Sequence, residues 1–172
     1  MLRFFMEVRE TRTEDVADVM RVINEGKQYF KGKGIDQWQN GYPNEETILK
    51  DIEEGNGLVL IRNNKIIGTC YLRFGVEEDY LKIENGEWLN DEPYGVIHRI
   101  AVEMAEKGQG YAAELLKYAE KKAQSLGIHN LRIDTHEKNL SMQRWITKNG
   151  FVRCGNVYIG GTAPRIAFQK KL

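Results

Sequence analysis

A short glycine-rich segment is the part of this chain best suited to chemistry. It follows an apolar, β-branched run and opens a stretch with helical spacing, and its residues are Lys107, Gly108, Gln109, Gly110, Tyr111 and Ala112. Glycines let backbone N–H groups approach a ligand closely, and the unpaired amides at a helix start carry partial positive charge. Such a loop suits a pyrophosphate, to which Lys107 would add a point charge. The alternative is a strand-to-helix turn in which glycine serves geometry alone.

Two familiar phosphate loops fit this segment poorly. A mononucleotide P-loop, G-x-x-x-x-G-K-[ST], needs a lysine and a hydroxyl residue that do not follow Gly110. A dinucleotide fingerprint would have its strand, its helix and an acidic residue, Asp134, at about the right distance. Its first glycine belongs in the turn directly after the strand, however, whereas "EMAEK" separates Val102 from Gly108. We therefore disfavour both loops.

The composition is that of an ordinary soluble globular protein. The chain has 172 residues, of which 41% are hydrophobic and 29% charged, and this suits one domain over residues 1–172. Basic and acidic residues number 25 each, so we expect neither nucleic acid nor a membrane as partner. Two cysteines, Cys70 and Cys154, make neither a disulfide framework nor a zinc site. With no secretion signal at the start, we expect a cytoplasmic protein without a metal.

Hydrophobic periodicity and turn residues predict the element order β-α-α-β-β-β-α-β-α-β-β. A first strand over residues 4–9 reads as an edge strand, and Thr13 is expected to cap the first helix. Asn44 starts a second helix that Gly55 ends. Asn63 and Asn64 tolerate the positive φ angles of a tight hairpin turn.

The later elements follow from the same signals. Gly95–Val102 is a strand, the glycine loop opens a helix, and "NLRIDTH" is a further strand. A short helix follows, and Gly150 suits a left-handed helix end. We therefore predict an α/β fold of the α+β type, a single domain with one mixed β-sheet flanked by helices.

Two motifs in this order identify a family resemblance. The glycine loop resembles motif A of the GNAT superfamily of acyl-CoA N-acyltransferases, (Gln/Arg)-x-x-G-x-(Gly/Ala). Gly110 and Ala112 match, whereas Lys107 departs from the first position but keeps a donor. Upstream, "HRIAV" resembles the fourth strand of the family, and "LRIDTHEKNLSMQRWITKNGF" resembles motif B. The element order of the family matches nearly the whole chain.

The resemblance implies transfer of an acyl group, most often acetyl, from acetyl-coenzyme A to a primary amine of a small molecule or peptide. It implies that a bulge splays the fourth strand, so that its edge pairs with the pantetheine arm and one amide can face the thioester carbonyl. The strand-edge groups would come from Ile100, Ala101 and Val102. The pyrophosphate would lie on the amides of Gly108, Gln109, Gly110, Tyr111 and Ala112. Asn139 would contact the cofactor, cap the following helix, or do both.

The proton transfers that such a reaction needs point to a few side chains. His98, in the cofactor strand, is the preferred base, although neighbouring backbone could instead satisfy it. Asp134 and His136 share a strand face that would point toward the substrate cleft. Asp134 would bind a cationic amine there, or His136 would replace His98 as base, unless both only serve the strand surface. Family members often carry a tyrosine as acid where this chain has Ile146, so Tyr158 or water would protonate the thiolate.

The acceptor site is harder to read from the sequence. Trp38 and Tyr42 lie in a loop expected over the cleft, where they would cover the substrate or form a small satellite core. An acidic stretch would attract a basic amine or remain a solvated loop, and it contains Glu77, Glu78, Asp79, Glu84 and Glu87. A different function class is a non-catalytic acyl-CoA-binding sensor or partner module, which only the missing tyrosine at Ile146 supports. The family also often forms homodimers.

Overall fold

The computed structural model describes residues 5–172 and contains the helices and strands in the predicted order. The strands are β1 (Met6–Glu10), β2 (Gly57–Arg62), β3 (Lys65–Phe74), β4 (Gly95–Val102), β5 (Asn130–Thr135), β6 (Val152–Ile159) and β7 (Ala163–Lys171). The α-helices are α1 (Val16–Gly32), α2 (Glu45–Glu54), α3 (Ala112–Ser125) and α4 (Leu140–Lys148). Short 3-10 helices occur at Thr13–Asp15, Glu78–Tyr80 and Met104–Glu106.

The seven strands form one mixed sheet in the order β1-β2-β3-β4-β5-β7-β6. β4 and β5 are parallel, whereas the pairs β1–β2, β2–β3, β5–β7 and β6–β7 are antiparallel. The predicted mixed sheet flanked by helices is thus confirmed. β1 lies at the sheet edge, as its sequence indicated, while Phe4, the predicted first residue of this strand, lies outside the described residues.

The chain divides into two compact units, one containing Arg99–Tyr118 and the described part of Met1–Leu72, the other Arg73–His98 and Ala119–Leu172. β3 and β4 each contribute residues to both units. A single domain over residues 1–172 stays a prediction. Between residues 5 and 172, no helix combines the length and the apolar character that a membrane crossing requires.

In the first unit, the hairpin β2–β3 carries β1 on one side and the helices α1 and α2 on its apolar face. One buried hydrophobic cluster of this unit contains Val19, Ile23, Ile48, Val59, Ile61 and Ile66. The hairpin turn has the predicted positive φ at Asn63 (50°) and Asn64 (66°). α2 begins at its predicted cap, because the Asn44 side chain accepts from the Thr47 N–H at 3.0 Å, and it ends at left-handed Gly55 (φ 71°).

The start of α1 differs from the prediction. Thr13 does not cap the helix; it begins the 3-10 helix Thr13–Asp15 instead. The Asp15 carboxylate accepts from the Arg12 N–H at 2.8 Å and pairs with Arg9 at 2.6 Å. A carboxylate with a cationic partner satisfies the exposed amide more strongly than a hydroxyl does, which explains the shift.

In the second unit, β5 lies between β4 and β7, and β6 forms the outer strand. Its core contains Tyr80, Tyr94, Val96, Val157 and Ala167. A buried polar network fixes the long segment between β3 and β4 to this core. The Gln169 side chain accepts from the Leu89 N–H at 3.1 Å and donates to Asn130 at 2.9 Å, and both Gln169 and Asn130 have 0% exposure. The acidic segment is therefore not simply a solvated loop.

Candidate active site

The paired part of β4 and β5 ends one residue before two ionisable side chains. The parallel ladder between the strands finishes with Ile97 opposite Ile133. His98 and Asp134 occupy the next positions. Because neighbouring side chains of a strand point to opposite faces, the His98 and Asp134 side chains point away from the face of the two isoleucines. They do so at the same end of the ladder. The end of the ladder thus brings together two of the predicted site residues.

The imidazole of His98 lies between two carboxylates. Its Nδ1 is 3.6 Å from Oδ2 of Asp134, and its Nε2 is 3.4 Å from Oε2 of Glu77. The His98 side chain remains 25% exposed. An imidazole in such surroundings can accept a proton, because the neighbouring carboxylates stabilise the positive charge that results.

Asp134 is held on its other side by a tyrosine that the sequence analysis did not select. The Tyr80 hydroxyl donates to Oδ2 of Asp134 at 2.6 Å. Burial raises the pKa of Asp134, while the His98 charge and the Tyr80 hydrogen bond lower it. Burial together with the Asp134 charge also raises the pKa of Tyr80 well above its usual value, so this hydroxyl keeps its proton and remains a donor. These contacts hold Asp134 beside His98, and its contact with the substrate amine stays a prediction.

Glu77, the second carboxylate beside His98, has a lowered pKa. The hydrogen bond with His98, followed by those with Arg73, lowers its pKa against the opposing effect of burial. Arg73 donates to the Glu77 carboxylate at 3.0 Å, and the Glu77 backbone N–H donates to the Tyr94 hydroxyl at 2.9 Å. Glu77 therefore supplies a fixed negative charge beside His98 at neutral pH.

Glu77 was expected only as one charge of an acidic stretch, and Tyr80 was not among the predicted site residues. The available signal was the aromatic ring of Tyr80 amid consecutive charged residues, since a large aromatic residue in a polar stretch usually seeks burial. Tyr80 is indeed only 1% exposed. Its role beside Asp134, however, follows only from the folded structure.

Two other candidates for proton transfer have local partners. His136 follows β5, is buried, and accepts from the Lys138 backbone N–H through Nδ1 at 3.0 Å. Tyr158 lies in β6, where its hydrogen bond with Glu84 raises its pKa. Ile146 has 0% exposure in α4, so the position of the family tyrosine belongs to the core. The roles of His136 and Tyr158 stay predictions.

Asn139 performs the capping role that the sequence allowed. Its side chain accepts from the Met142 N–H at 3.2 Å and so begins α4. The residue is 6% exposed. Capping satisfies one of the amides that the helix itself leaves unpaired. A contact with the cofactor stays a prediction.

The glycine loop, in the first unit, has the conformation that only glycine adopts easily. Gly108 and Gly110 have φ angles of 78° and 80°, and a Cβ on either would meet no other atom within 4 Å. Glycine is thus needed for the backbone conformation and not to avoid a clash. The first hydrogen bonds at the helix start come from Ala113 and Glu114, whose N–H groups donate to Gly110 and Tyr111. The amides of residues 108–112 precede these bonds, as an anion-binding helix start requires.

Two cation–aromatic contacts lie beside the glycine loop. The ammonium group of Lys107 lies 3.8 Å from the centroid of the Tyr29 ring, and burial lowers its pKa. The Arg62 guanidinium lies 5.0 Å from the centroid of the Tyr111 ring. Lys107 is thus turned toward α1, and the main chain is the principal donor that the loop offers to an anion.

β4 is distorted just before the predicted pantetheine segment. Arg99 has a φ of 53°, which interrupts the extended geometry of the strand. Such a local twist is typical of a bulge. The interruption lies one residue after His98 and one before Ile100, in the strand for which the family resemblance implied a bulge.

The two aromatic residues proposed for the acceptor differ in their surroundings. Trp38 packs edge-on against Phe30, with ring centroids 5.2 Å apart, and joins the hydrophobic cluster of the first unit. This packing fits the satellite core that the sequence allowed, and a contact of Trp38 with the substrate stays a prediction. Tyr42 is 46% exposed, and its ring centroid lies 5.8 Å from the Arg99 guanidinium. Tyr42 remains a candidate for substrate contact.

Comparison with known proteins gives a consistent result. The model of the acetyltransferase (GNAT) family matches residues 23–151. The chain is similar to an S-alkylcysteine N-acetyltransferase of Bacillus subtilis (strain 168), with 26% identity over 117 residues. This match covers 66% of the chain and 58% of that relative, so the chain spans less than two thirds of its length.

Solved structures extend the likeness to the full chain. A GNAT-family acetyltransferase from Streptococcus agalactiae 2603 is 32% identical, has a TM-score of 0.90, and is matched over 99% of each chain. The PaiA N-acetyltransferase of Thermoplasma acidophilum, solved in complex with coenzyme A, has a TM-score of 0.73 at 18% identity, with 98% of this chain and 99% of that chain covered. At 18% identity, the likeness to the Thermoplasma acidophilum structure shows a shared fold alone. Since the family model matches most of the sequence, the chain belongs to the acetyltransferase (GNAT) family.

Proposed function

We propose that the protein is an N-acetyltransferase that moves an acetyl group from acetyl-coenzyme A to a primary amine of a small molecule or peptide. The observation that carries this proposal is the position of His98 between Glu77 and Asp134. His98 belongs to the same strand as residues 100–102 and lies a few residues before the glycine loop. A base, a strand edge and an anion-binding helix start thus follow one another along the chain.

The residues present suit coenzyme A. The left-handed glycines and the helix start offer main-chain donors at residues 108–112 for the diphosphate. Strand-edge groups of Ile100, Ala101 and Val102 would pair with the pantetheine amides, and Asn139 would contact the cofactor. When bound, acetyl-coenzyme A supplies an acetyl group activated as a thioester. The relative from Thermoplasma acidophilum, crystallised with coenzyme A, supports this assignment.

His98 acts as the general base in this proposal. The amine is mostly protonated at neutral pH and must lose protons as its nitrogen bonds to the acetyl carbon. Glu77 stabilises the imidazolium, and Asp134, fixed by Tyr80, orients the ring. Between the two histidines we choose His98, because Nδ1 of His136 is already an acceptor for the Lys138 N–H.

The sulfur that leaves coenzyme A also needs a proton. Ile146 offers none, and the Tyr158 hydroxyl is directed to Glu84. We therefore assign this step to water. A thiol is acidic enough, with a pKa of about 8.5, for the carbon–sulfur bond to break without a dedicated acid.

The acceptor is an amine near His98. The activity named for the Bacillus subtilis relative supports an amino-acid-like amine. Tyr42 is the exposed aromatic candidate for contact with it, whereas Asp134 serves His98. We place the protein in the cytoplasm, which its two free, buried cysteines, Cys70 and Cys154, support.

The test is release of coenzyme A with a panel of amines that includes amino acids, S-alkylcysteines, polyamines and peptides. A thiol reagent can follow the release, because both cysteines of the protein are buried. We expect release with at least one amine and calorimetric binding of acetyl-coenzyme A. Binding without release across the panel would instead favour a non-catalytic acyl-CoA sensor.

A further inference from the structure

Residues 100–102 of β4 lie between two ion pairs of the first unit, of which the Arg99–Asp51 pair is buried on both sides. Arg99 precedes this segment and Glu103 follows it. The guanidinium of Arg99 binds both carboxylate oxygens of Asp51 in α2, at 2.7 and 2.9 Å. The side chains of Arg99 and Asp51 are each 9% exposed. A bidentate pair shielded from water has a defined geometry.

The surroundings of Arg99 hold it in an unusual conformation. Its guanidinium lies 5.0 Å from the centroid of the Tyr71 ring and 5.8 Å from that of Tyr42, and its buried Nε has no hydrogen-bond partner. A φ of 53° is unfavourable for a residue with a long side chain. Such a conformation persists only when several contacts determine it together. The pair with Asp51 and the two rings are those contacts.

The other end of the segment is held by a buried carboxylate whose cationic partners are more exposed, 35% for Arg21 and 61% for Lys65. The Glu103 carboxylate, 4% exposed, accepts from Arg21 of α1 at 2.6 Å and from Lys65 of β3 at 3.1 Å. The Glu103 backbone N–H also donates to the Ile67 carbonyl at 2.7 Å. Three elements of the first unit, α1, α2 and β3, therefore fix the main chain on both sides of residues 100–102.

We propose that the Arg99–Asp51 and Glu103–Arg21 pairs form a clamp that fixes the main chain of residues 100–102 for acetyl transfer. This inference rests on the proposed function. It makes Arg99, Asp51, Glu103 and Arg21 positioning residues, which act through the strand and not on the reacting atoms. Main-chain donors aimed at the charge that develops on a thioester carbonyl must be held in advance, since small displacements cost rate.

The first test compares two substitutions of the same residue. Arg99→Ala loses the ion pair and keeps a Cβ at the positive φ, whereas Arg99→Gly loses the pair but adopts that φ easily. We expect kcat to fall about 100-fold in Arg99→Ala and only about 10-fold in Arg99→Gly. The Kd for coenzyme A should change by a smaller factor than kcat in both, because the diphosphate loop is intact even where the pantetheine segment is loosened. A glycine variant no more active than the alanine variant, or unchanged kcat in both, would overturn the clamp.

The second test approaches the pair from α2. Asp51→Asn retains the shape of the side chain but not its charge, and it carries the test if the Arg99 variants do not fold. The matched control is Lys50→Ala, since Lys50 forms an exposed pair with Glu54 at 3.8 Å on the same helix. We expect kcat to fall about 10-fold in Asp51→Asn and to stay unchanged in the control. A kcat of Asp51→Asn equal to that of the wild type would contradict the proposal.

Amide hydrogen exchange separates failure of the clamp from failure of the proposed function. If the wild-type protein binds coenzyme A but releases none with any amine, acetyl transfer fails as the function. The clamp is then judged by the exchange of residues 100–102 in the coenzyme A complex. We expect exchange about 10-fold faster in Asp51→Asn than in Lys50→Ala. Equal exchange in the two variants would reject the clamp.

Discussion

The Tyr80 hydroxyl donates a 2.6 Å hydrogen bond to Asp134, the carboxylate that lies 3.6 Å from Nδ1 of His98. Tyr80 is 1% exposed, and the Asp134 side chain is 7% exposed. A buried hydroxyl thus fixes a buried carboxylate, which in turn orients a histidine that solvent can reach. In this arrangement the position of the His98 ring depends on two side chains that are shielded from solvent.

Substitution of Tyr80 tests this dependence. Tyr80→Phe leaves a buried acceptor on Asp134 unpaired, which should cost about 1–3 kcal/mol in the free energy of unfolding. The Asp134 pKa should rise further, because the hydrogen bond that lowers it is lost. We expect kcat to fall about 10-fold and the acidic limb of the pH–rate profile to move upward. Tyr118→Phe, a half-buried tyrosine of α3, is the control, and an unchanged pH profile in Tyr80→Phe would contradict the role of Asp134.

Removal of the base should separate catalysis from binding. We expect His98→Gln to lower kcat about 100-fold or more, because glutamine cannot accept the amine proton. The Kd for acetyl-coenzyme A, measured by calorimetry, should stay within about 2-fold, since main-chain groups hold the diphosphate. His129→Gln changes an exposed histidine outside the site and should be silent. Full turnover in His98→Gln would remove His98 from the mechanism.

The glycine loop should respond to a single methyl group. In Gly110→Ala the new side chain has space but sits at a φ of 80°, which costs about 1–2 kcal/mol. If the loop relaxes, its amides no longer converge, so we expect coenzyme A to bind about 10-fold more weakly. Gly32→Ala, at the end of α1 and also with free space around the new Cβ, is the control. Equal affinity in both variants would argue against diphosphate binding by this loop.

A methyl group added at Gly68 in β3 should push against the main chain of β4. A Cβ at Gly68 would lie 3.1 Å from the Ala101 carbonyl oxygen and 3.3 Å from Leu60 Cβ. Such overpacking typically costs about 1–3 kcal/mol. We expect Gly68→Ala to lower the melting temperature and kcat together. Thermal unfolding and steady-state kinetics would detect this, and wild-type values for both would show that β4 tolerates the displacement.

Stability at low pH should depend on Asp15. The hydrogen bond with Arg9 is the main cause of the lowered pKa of Asp15, and it outweighs burial, which acts to raise that pKa. The folded protein therefore binds the Asp15 proton less tightly than the unfolded chain does. The stabilisation from this pair is complete above the ordinary pKa of 3.8. It disappears as the pH falls through the lowered pKa of Asp15 in the folded protein. We expect Asp15→Asn to be less stable than wild type by about 2 kcal/mol at pH 7.

Urea denaturation at several pH values measures this difference. The gap between wild type and Asp15→Asn should narrow as the pH falls below about 4. Asp18→Asn serves as the control, because Asp18 is 55% exposed and lies 3.9 Å from Arg21. Exposed pairs of this kind contribute about 0–1 kcal/mol. A constant gap between pH 7 and pH 3 would show that the Asp15–Arg9 pair is not the source of the stability.

Local sequence was sufficient for the order of helices and strands and for several of their caps and turns. Asn44 starts α2, Gly55 ends it, and Asn63 and Asn64 make the hairpin turn, all as predicted. Each of these features depends on residues a few positions apart, whose backbone preferences are intrinsic. Anion binding by the glycine loop stays a prediction. Thr13 failed as a cap because Asp15, two positions later, has a cationic partner in β1.

Tertiary structure alone decided which side chains complete the site. His98 and Glu77 are 21 residues apart in sequence, Arg99 and Asp51 are 48 apart, and Tyr80 and Asp134 are 54 apart. No periodicity relates such positions, since the sheet order and the end of the β4–β5 ladder bring them together. Burial raises the pKa of Asp134, whereas the hydrogen bond with His98 lowers that of Glu77. The sequence determined the residue types, and long-range packing determined their partners and the direction in which their pKa values shift.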